Sequence, residues 1–120
     1  MSKKTLVIGG SENPERYSNK AIKMLRKFGH EVVSIGLKKG KVEDVPIQLE
    51  KLYFSDIHTV TMYVGSKHQP EYYDYILSLK PKRVLFNPGT ENLEFEGLLK
   101  TNNIAYEEAC TLVLLSIDQY

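Results

Sequence analysis

The sequence predicts an α/β fold: a three-layer, doubly wound, mostly parallel sheet of about five strands, built by one domain over residues 1–120. Three observations predict it. Short β-forming runs alternate with stretches of helical apolar periodicity, at intervals typical of strand–helix–strand units. The first run, Leu6-Val7-Ile8, is continuously apolar, as suits a strand covered on both faces. That run ends in Gly9-Gly10, a tight turn ahead of a helix.

The first strand is read at Thr5–Gly9. The first helix covers Ser18–Phe28, where Ala21, Met24, Leu25 and Phe28 share one face, and Gly29 stops it. The second strand, Glu31–Gly36, carries Val32, Val33 and Ile35. A lysine- and glycine-rich loop follows, Leu37-Lys38-Lys39-Gly40-Lys41. Pro46 and scattered apolar residues then predict a short edge strand near Val45–Gln48 and a loop. The third strand is His58–Val64, rich in β-preferring residues. Pro70 fits the first turn of a helix reaching Leu79, with Tyr72, Tyr73, Ile76 and Leu77 inward and Pro81 marking its end. The fourth strand, Arg83–Phe86, runs into Asn87-Pro88-Gly89. Asn92 is placed to cap a helix that buries Phe95, Leu98 and Leu99 and ends at Asn102-Asn103. Ile104–Tyr106 is a last short strand, and Leu112–Ile117 a terminal helical turn.

Composition narrows the function. A formal net charge of +1 argues against a long nucleic-acid groove. A single cysteine, Cys110, fits a reducing cytoplasm. Met1-Ser2-Lys3-Lys4 leads directly into strand residues without the apolar core of a signal peptide, and no apolar run suits a membrane span. A cytoplasmic protein is expected.

Ligands of doubly wound sheets sit beyond the carboxyl ends of the strands. The loops expected there are Gly9–Ser18, Gly36–Lys41, Tyr63–His68, Asn87–Asn92 and Glu107–Thr111. A glycine turn before a helix start is an anion site, since free N–H groups and the helix dipole meet there. Gly9-Gly10-Ser11-Glu12-Asn13-Pro14 is not the G-x-G-x-x-G of a common dinucleotide enzyme, and no acid ends the second strand to hold a ribose hydroxyl. Lys38 and Lys39 stand there instead, which suits a ribose phosphate, as in NADP or coenzyme A; alternatively they form a solvated turn. Arg16 can bond a pyrophosphate or pair with Glu12 or Glu15. Ser11 and Ser18 can donate to phosphate, though Ser18 equally suits the cap of the first helix. Tyr17 can cover an adenine or pantetheine, or pack at the helix start.

These residues carry a family resemblance. The chain resembles the small stand-alone CoA-binding domain proteins of bacteria, whose Rossmann-like fold is also that of the CoA-binding domain in the succinyl-CoA synthetase alpha subunit. Nearly the whole chain is covered. The family's G-A-S-x-N-P-x-R-x-S-like loop stands here as Gly9-Gly10-Ser11-Glu12-Asn13-Pro14-Glu15-Arg16-Tyr17-Ser18. Its Q/N-P-G-x-x-N element is Asn87-Pro88-Gly89-Thr90-Glu91-Asn92, and its C-terminal cysteine is Cys110. Where many members carry a P-V-N-P-like segment, this chain has Ile35-Gly36-Leu37-Lys38. The ligase domain with its phosphorylated histidine has no counterpart, so ligase activity is not implied.

The resemblance implies CoA or acyl-CoA as cofactor, held by Gly9, Gly10, Ser11, Asn13, Arg16, Tyr17 and Ser18 of the first loop. Gly36, Leu37, Lys38 and Lys39 follow from the second, Tyr63 and Val64 from the third, and Asn87, Pro88, Gly89 and Asn92 from the fourth. No catalytic group stands out. His68 is the one acid–base candidate in a rim loop, while His30 and His58 are expected at the opposite rim. Cys110 is a candidate nucleophile or a small packed side chain, and metal-ligand spacing is absent. The expectation is a non-catalytic binding domain for a small nucleotide ligand, with no nucleic acid or membrane partner and a possible homodimer. An NADP-binding oxidoreductase-like protein and a ligand-free interaction module are the alternatives.

Overall fold

A computed structural model describes residues 2–120. The elements are β1 (Thr5–Ile8), α1 (Tyr17–Lys27), β2 (Val32–Ile35), β3 (Gly40–Val42), β4 (Val45–Gln48), β5 (Thr59–Met62), α2 (Tyr73–Leu79), β6 (Arg83–Phe86), α3 (Leu93–Thr101), β7 (Ala105–Glu108) and α4 (Thr111–Ser116). The fold is the expected doubly wound α/β arrangement, but among the described residues its sheet has seven strands rather than about five, in the order β3-β4-β2-β1-β5-β6-β7.

The strand count is corrected at one edge. Gly40–Val42, read from sequence as part of a loop, pairs antiparallel with β4 through Lys41↔Pro46 and Val42↔Val45. The expected edge strand at Val45–Gln48 is therefore next to the edge, parallel to β2 on its other side. Every other neighbouring pair is parallel.

Alternation along β1 separates two cores. Leu6 and Ile8 face Val60, Met62, Val84 and Phe86, and this layer is covered by Ile76 and Leu79 of α2 and Phe95 and Leu99 of α3. Val7 faces the other way with Val32, under Ile22 and Leu25 of α1 and Leu115 of α4. Phe86 and Phe95 meet edge to face at 5.9 Å between ring centroids. A Phe95→Ala change would remove that contact and leave a cavity, costing about 3–5 kcal/mol.

Three local readings change. The N-cap of α1 is Arg16, not Ser18, and no side chain caps it. Ser18 is instead buried inside the first turn. Phe28 stands at the C-cap with 46% of its surface exposed, and Ile22 takes its place in the core. The second predicted helix begins as a short 3-10 turn, Pro70–Tyr72, before α2 proper, and the loop ahead of it holds another, Ser66–His68. Asn92 caps α3 as expected, its Oδ1 accepting from the Phe95 N–H at 3.0 Å.

Candidate ligand-binding site

β1 is flanked by β2 on one side and β5 on the other, so the winding reverses between β1 and β5. Crevices at such switch points, outside the carboxyl ends of the strands, are where doubly wound sheets bind ligands. A cavity of about 730 Å³ opens there, within the usual range for small-ligand pockets.

The first loop forms its floor. Gly9 has φ of +97°, and a Cβ on it would lie 2.9 Å from the Tyr63 carbonyl oxygen. Only glycine lets β1 turn there against the loop that follows β5. The N–H groups of Gly9 and Gly10 both donate to the Ile35 carbonyl, at 2.7 and 3.0 Å. A Cβ on Gly36 would sit 2.3 Å from the Gly10 carbonyl oxygen. Gly36 thus lets the first loop lie flat on the end of β2, and it is buried beneath the site rather than in its wall.

Beyond the turn the loop holds itself. Ser11 Oγ accepts from the Asn13 N–H at 3.1 Å, and Asn13 Oδ1 accepts from the Glu15 N–H at 3.0 Å. The Ser11 hydroxyl proton stays available to a ligand. Asn19 Nδ2 donates to the Ser11 carbonyl at 3.0 Å, pinning the loop from inside α1. Among the described residues no hydrogen bond uses the N–H of Ser11 or Glu12. The first turn of α1 carries no acid and no capping side chain, so the chain leaves the positive end of that helix uncompensated.

Of the residues expected at the site, Gly9, Gly10, Ser11, Asn13 and Arg16 line the cavity. Leu37, Lys38, Lys39, Tyr63 and Val64 complete the set that the fold brings together. Arg16, Lys38 and Lys39 make no ion pair among the described residues. Tyr17 lies outside the wall, 67% exposed, with the Lys20 ammonium over its ring. Ser18, Asn87, Pro88, Gly89 and Asn92 also lie outside it.

Asn87 and Asn92 are spent inside the fold. Asn87 Nδ2 donates to Thr61 Oγ1 and the Met62 carbonyl, while its Oδ1 accepts from the Thr111 N–H at the start of α4. Asn92 Nδ2 donates to Gln69 Oε1 and to the Tyr73 hydroxyl.

His68 lines the cavity, with Glu71 and Tyr72 beyond it. Glu12, Gly65, Glu71 and Tyr72 are lining residues that the sequence does not single out. Asn19 was likewise unmarked, although a buried asparagine among Ala21 and Ile22 is the signal that could reveal it. The Tyr63 hydroxyl is buried without a hydrogen bond, and burial pushes its pKa up. Cys110 is half-buried at the N-cap of α4.

The opposite rim is different. An opening of similar size there is bordered by Lys4, Glu31, Asp56, His58, Lys80 and Lys82, which mix signs. His58 borders it, and His30, which precedes β2, stands at the same end of the sheet. No group of three metal-ligating side chains gathers among the described residues, and no helix is long and apolar enough to cross a membrane.

The family model for the CoA binding domain matches residues 3–116. The chain belongs to this family. No curated protein matches the sequence. Among solved structures, a crystal structure of an uncharacterized protein is 44% identical, with a TM-score of 0.97, and the match covers 100% of this chain and 99% of that one. A hypothetical protein from Pyrococcus horikoshii is 25% identical with a TM-score of 0.84, over 93% of this chain and 80% of that one. A Thermus thermophilus structure shares the fold at 19% identity and a TM-score of 0.86, over 99% and 91%. The family's CoA-binding fold thus spans nearly the whole chain.

Proposed function

We propose that this CoA-binding domain protein holds coenzyme A or an acyl-CoA at the β1–β5 switch point and runs no reaction on it. The observation that carries the reading is the open cavity itself. It lies over the glycine turn and is bordered by three cations that no acid among the described residues neutralises by ion pairing.

The pyrophosphate is assigned to the first loop, where the Ser11 and Glu12 N–H groups, the Ser11 hydroxyl, the uncompensated end of α1 and Arg16 converge. Lys38 and Lys39 are assigned to the ribose phosphate. The pantetheine arm then runs past Tyr63 and Val64 toward Tyr72. Leu37 is 88% exposed and Tyr17 lies outside the wall, so neither blocks the opening, which weighs against a ligand-free interaction module.

Thermal shift with CoA, dephospho-CoA and NADP tests the assignment. CoA is expected to stabilise the fold most, and dephospho-CoA less, because it lacks the phosphate that the two lysines hold. Absence of stabilisation by CoA at millimolar concentration would end the reading, and stabilisation by NADP alone would replace it with the NADP alternative.

A further inference from the structure

The sequence places no acid at the end of the second strand, yet the fold brings one from the first loop against β3, just past the lysine loop that follows that strand. Glu12 lines the cavity, and its Oε2 accepts from the Lys41 N–H at 2.9 Å. It lies flat over Gly40, where a Cβ would be 2.3 Å from the Glu12 carboxyl carbon and 2.7 Å from Oε1. Gly40 has no positive φ, so only this carboxylate, the end of a flexible side chain, occupies the space a Cβ would take. Glu12 lines the same cavity as Lys38 and Lys39 but makes no ion pair with any lysine among the described residues. One hydrogen bond uses one oxygen; a carboxylate accepts at both.

We infer that Glu12 is a specificity-determining residue that accepts a hydrogen bond from the free ribose hydroxyl beside the ribose phosphate. The inference rests on the CoA reading and deepens it. An acid after the second strand is how doubly wound sheets hold ribose hydroxyls. Here the acid comes from the first loop and the phosphate-binding cations from the second. The site then reads a ribose with one phosphate and one hydroxyl side by side. A ribose lacking the hydroxyl leaves the carboxylate facing the cavity without a donor, and a second phosphate would meet it as a like charge. The tether to Lys41 also ties the first loop to β3.

Calorimetry with adenosine 3′,5′-bisphosphate and its 2′-deoxy counterpart tests this on the full chain, beside intact CoA as reference. The wild type should prefer the ribose form by about tenfold, the scale of one hydrogen bond to a charged group. Glu12→Ala should bind the two forms equally. A purely structural tether predicts otherwise: both forms weaken together and the preference survives. Survival of the preference in Glu12→Ala, or its absence in the wild type, overturns the inference while leaving CoA binding intact. Failure of either bisphosphate to bind while CoA binds also overturns it. Failure of CoA itself to bind overturns the reading beneath it, and the inference with it.

Discussion

Asn92 Nδ2 donates to Gln69 Oε1 at 2.9 Å, with both side chains buried. This bond leaves the Gln69 amide free to donate twice, to the Val64 carbonyl at 2.9 Å and the Thr90 carbonyl at 2.7 Å. The loop after β6 is thereby joined to the cavity wall after β5, and Asn92 acts on the site through Gln69 without lining it.

Gln69→Ala should therefore cost more than its surface suggests. It strands the Val64 and Thr90 carbonyls and takes an acceptor from Asn92 in a buried setting. A loss of about 2–4 kcal/mol in urea denaturation is expected. CoA affinity, measured by calorimetry at a temperature where the variant is folded, should fall as well, since the Val64 wall loses its anchor. An unchanged denaturation midpoint would remove Gln69 from this role.

Asn87→Asp tests the neighbouring junction. The amide donates to Thr61 Oγ1 at 2.6 Å and to the Met62 carbonyl at 2.9 Å, and Oδ1 accepts from the Thr111 N–H at 2.8 Å. A carboxylate keeps the last bond and sets a charge against the Met62 carbonyl. Destabilisation of about 3 kcal/mol or more is expected, eased at low pH as the acid protonates. Because Asn87 is outside the cavity wall, the folded variant should keep wild-type CoA affinity. A selective loss of CoA affinity would show that Asn87 touches the ligand.

What could be read from sequence divides along physical lines. β1, β6 and the buried faces of α1 and α3 were legible because burial on one or both faces writes itself as a run or a period, as in Leu6-Val7-Ile8 and Phe95/Leu99. β3 was hidden because three residues, Gly40-Lys41-Val42, carry too little pattern and their lysine resembles a solvated turn. The glycine turn and the lysines were legible as neighbours at the sheet's carboxyl end, and they line the cavity. Glu12 was not, because its carboxylate acts 29 positions along the chain, and only the fold shows which backbone N–H it meets. Asn87 and Asn92 show the reverse: their motif was visible, but the geometry gives their hydrogen bonds to Thr61, Met62, Thr111 and Gln69.

Gly10 and Gly36 are both crowded, but by different atoms. A Cβ on Gly10 would lie 2.1 Å from Ser34 Oγ, whereas one on Gly36 would lie 2.3 Å from the Gly10 carbonyl oxygen. Gly10→Ala should cost about 1–3 kcal/mol by overpacking. Adding Ser34→Ala removes the clashing hydroxyl and leaves its Cβ at 3.3 Å, so the pair should recover part of that loss. A coupling of about 0.5 kcal/mol or more is expected from the double-mutant cycle. Gly36→Ala should show no such rescue by Ser34→Ala, because its obstacle is backbone. Equal coupling in the two cycles would contradict this account.

Acid should loosen the opposite rim. Burial holds the His30 imidazole below its ordinary value, and Lys3 and Arg83 add to the effect. His58 is lowered in the same way, first by burial and then by Arg83, Lys3 and Lys82. His30 Nδ1 also accepts from the Lys3 N–H at 2.9 Å, which requires that nitrogen to be unprotonated. Unfolded, both rings titrate near pH ~6.5. Just below that pH the unfolded chain binds more protons than the folded one, so stability rises with pH across the window. The histidine contribution is fully present above the unfolded pKa and is lost as pH falls through the folded values. Urea midpoints measured between about pH 5 and pH 7.5 should therefore climb in the wild type. In a His30→Gln, His58→Gln double variant that climb should flatten, and parallel slopes in the two proteins would assign the acid sensitivity to other groups.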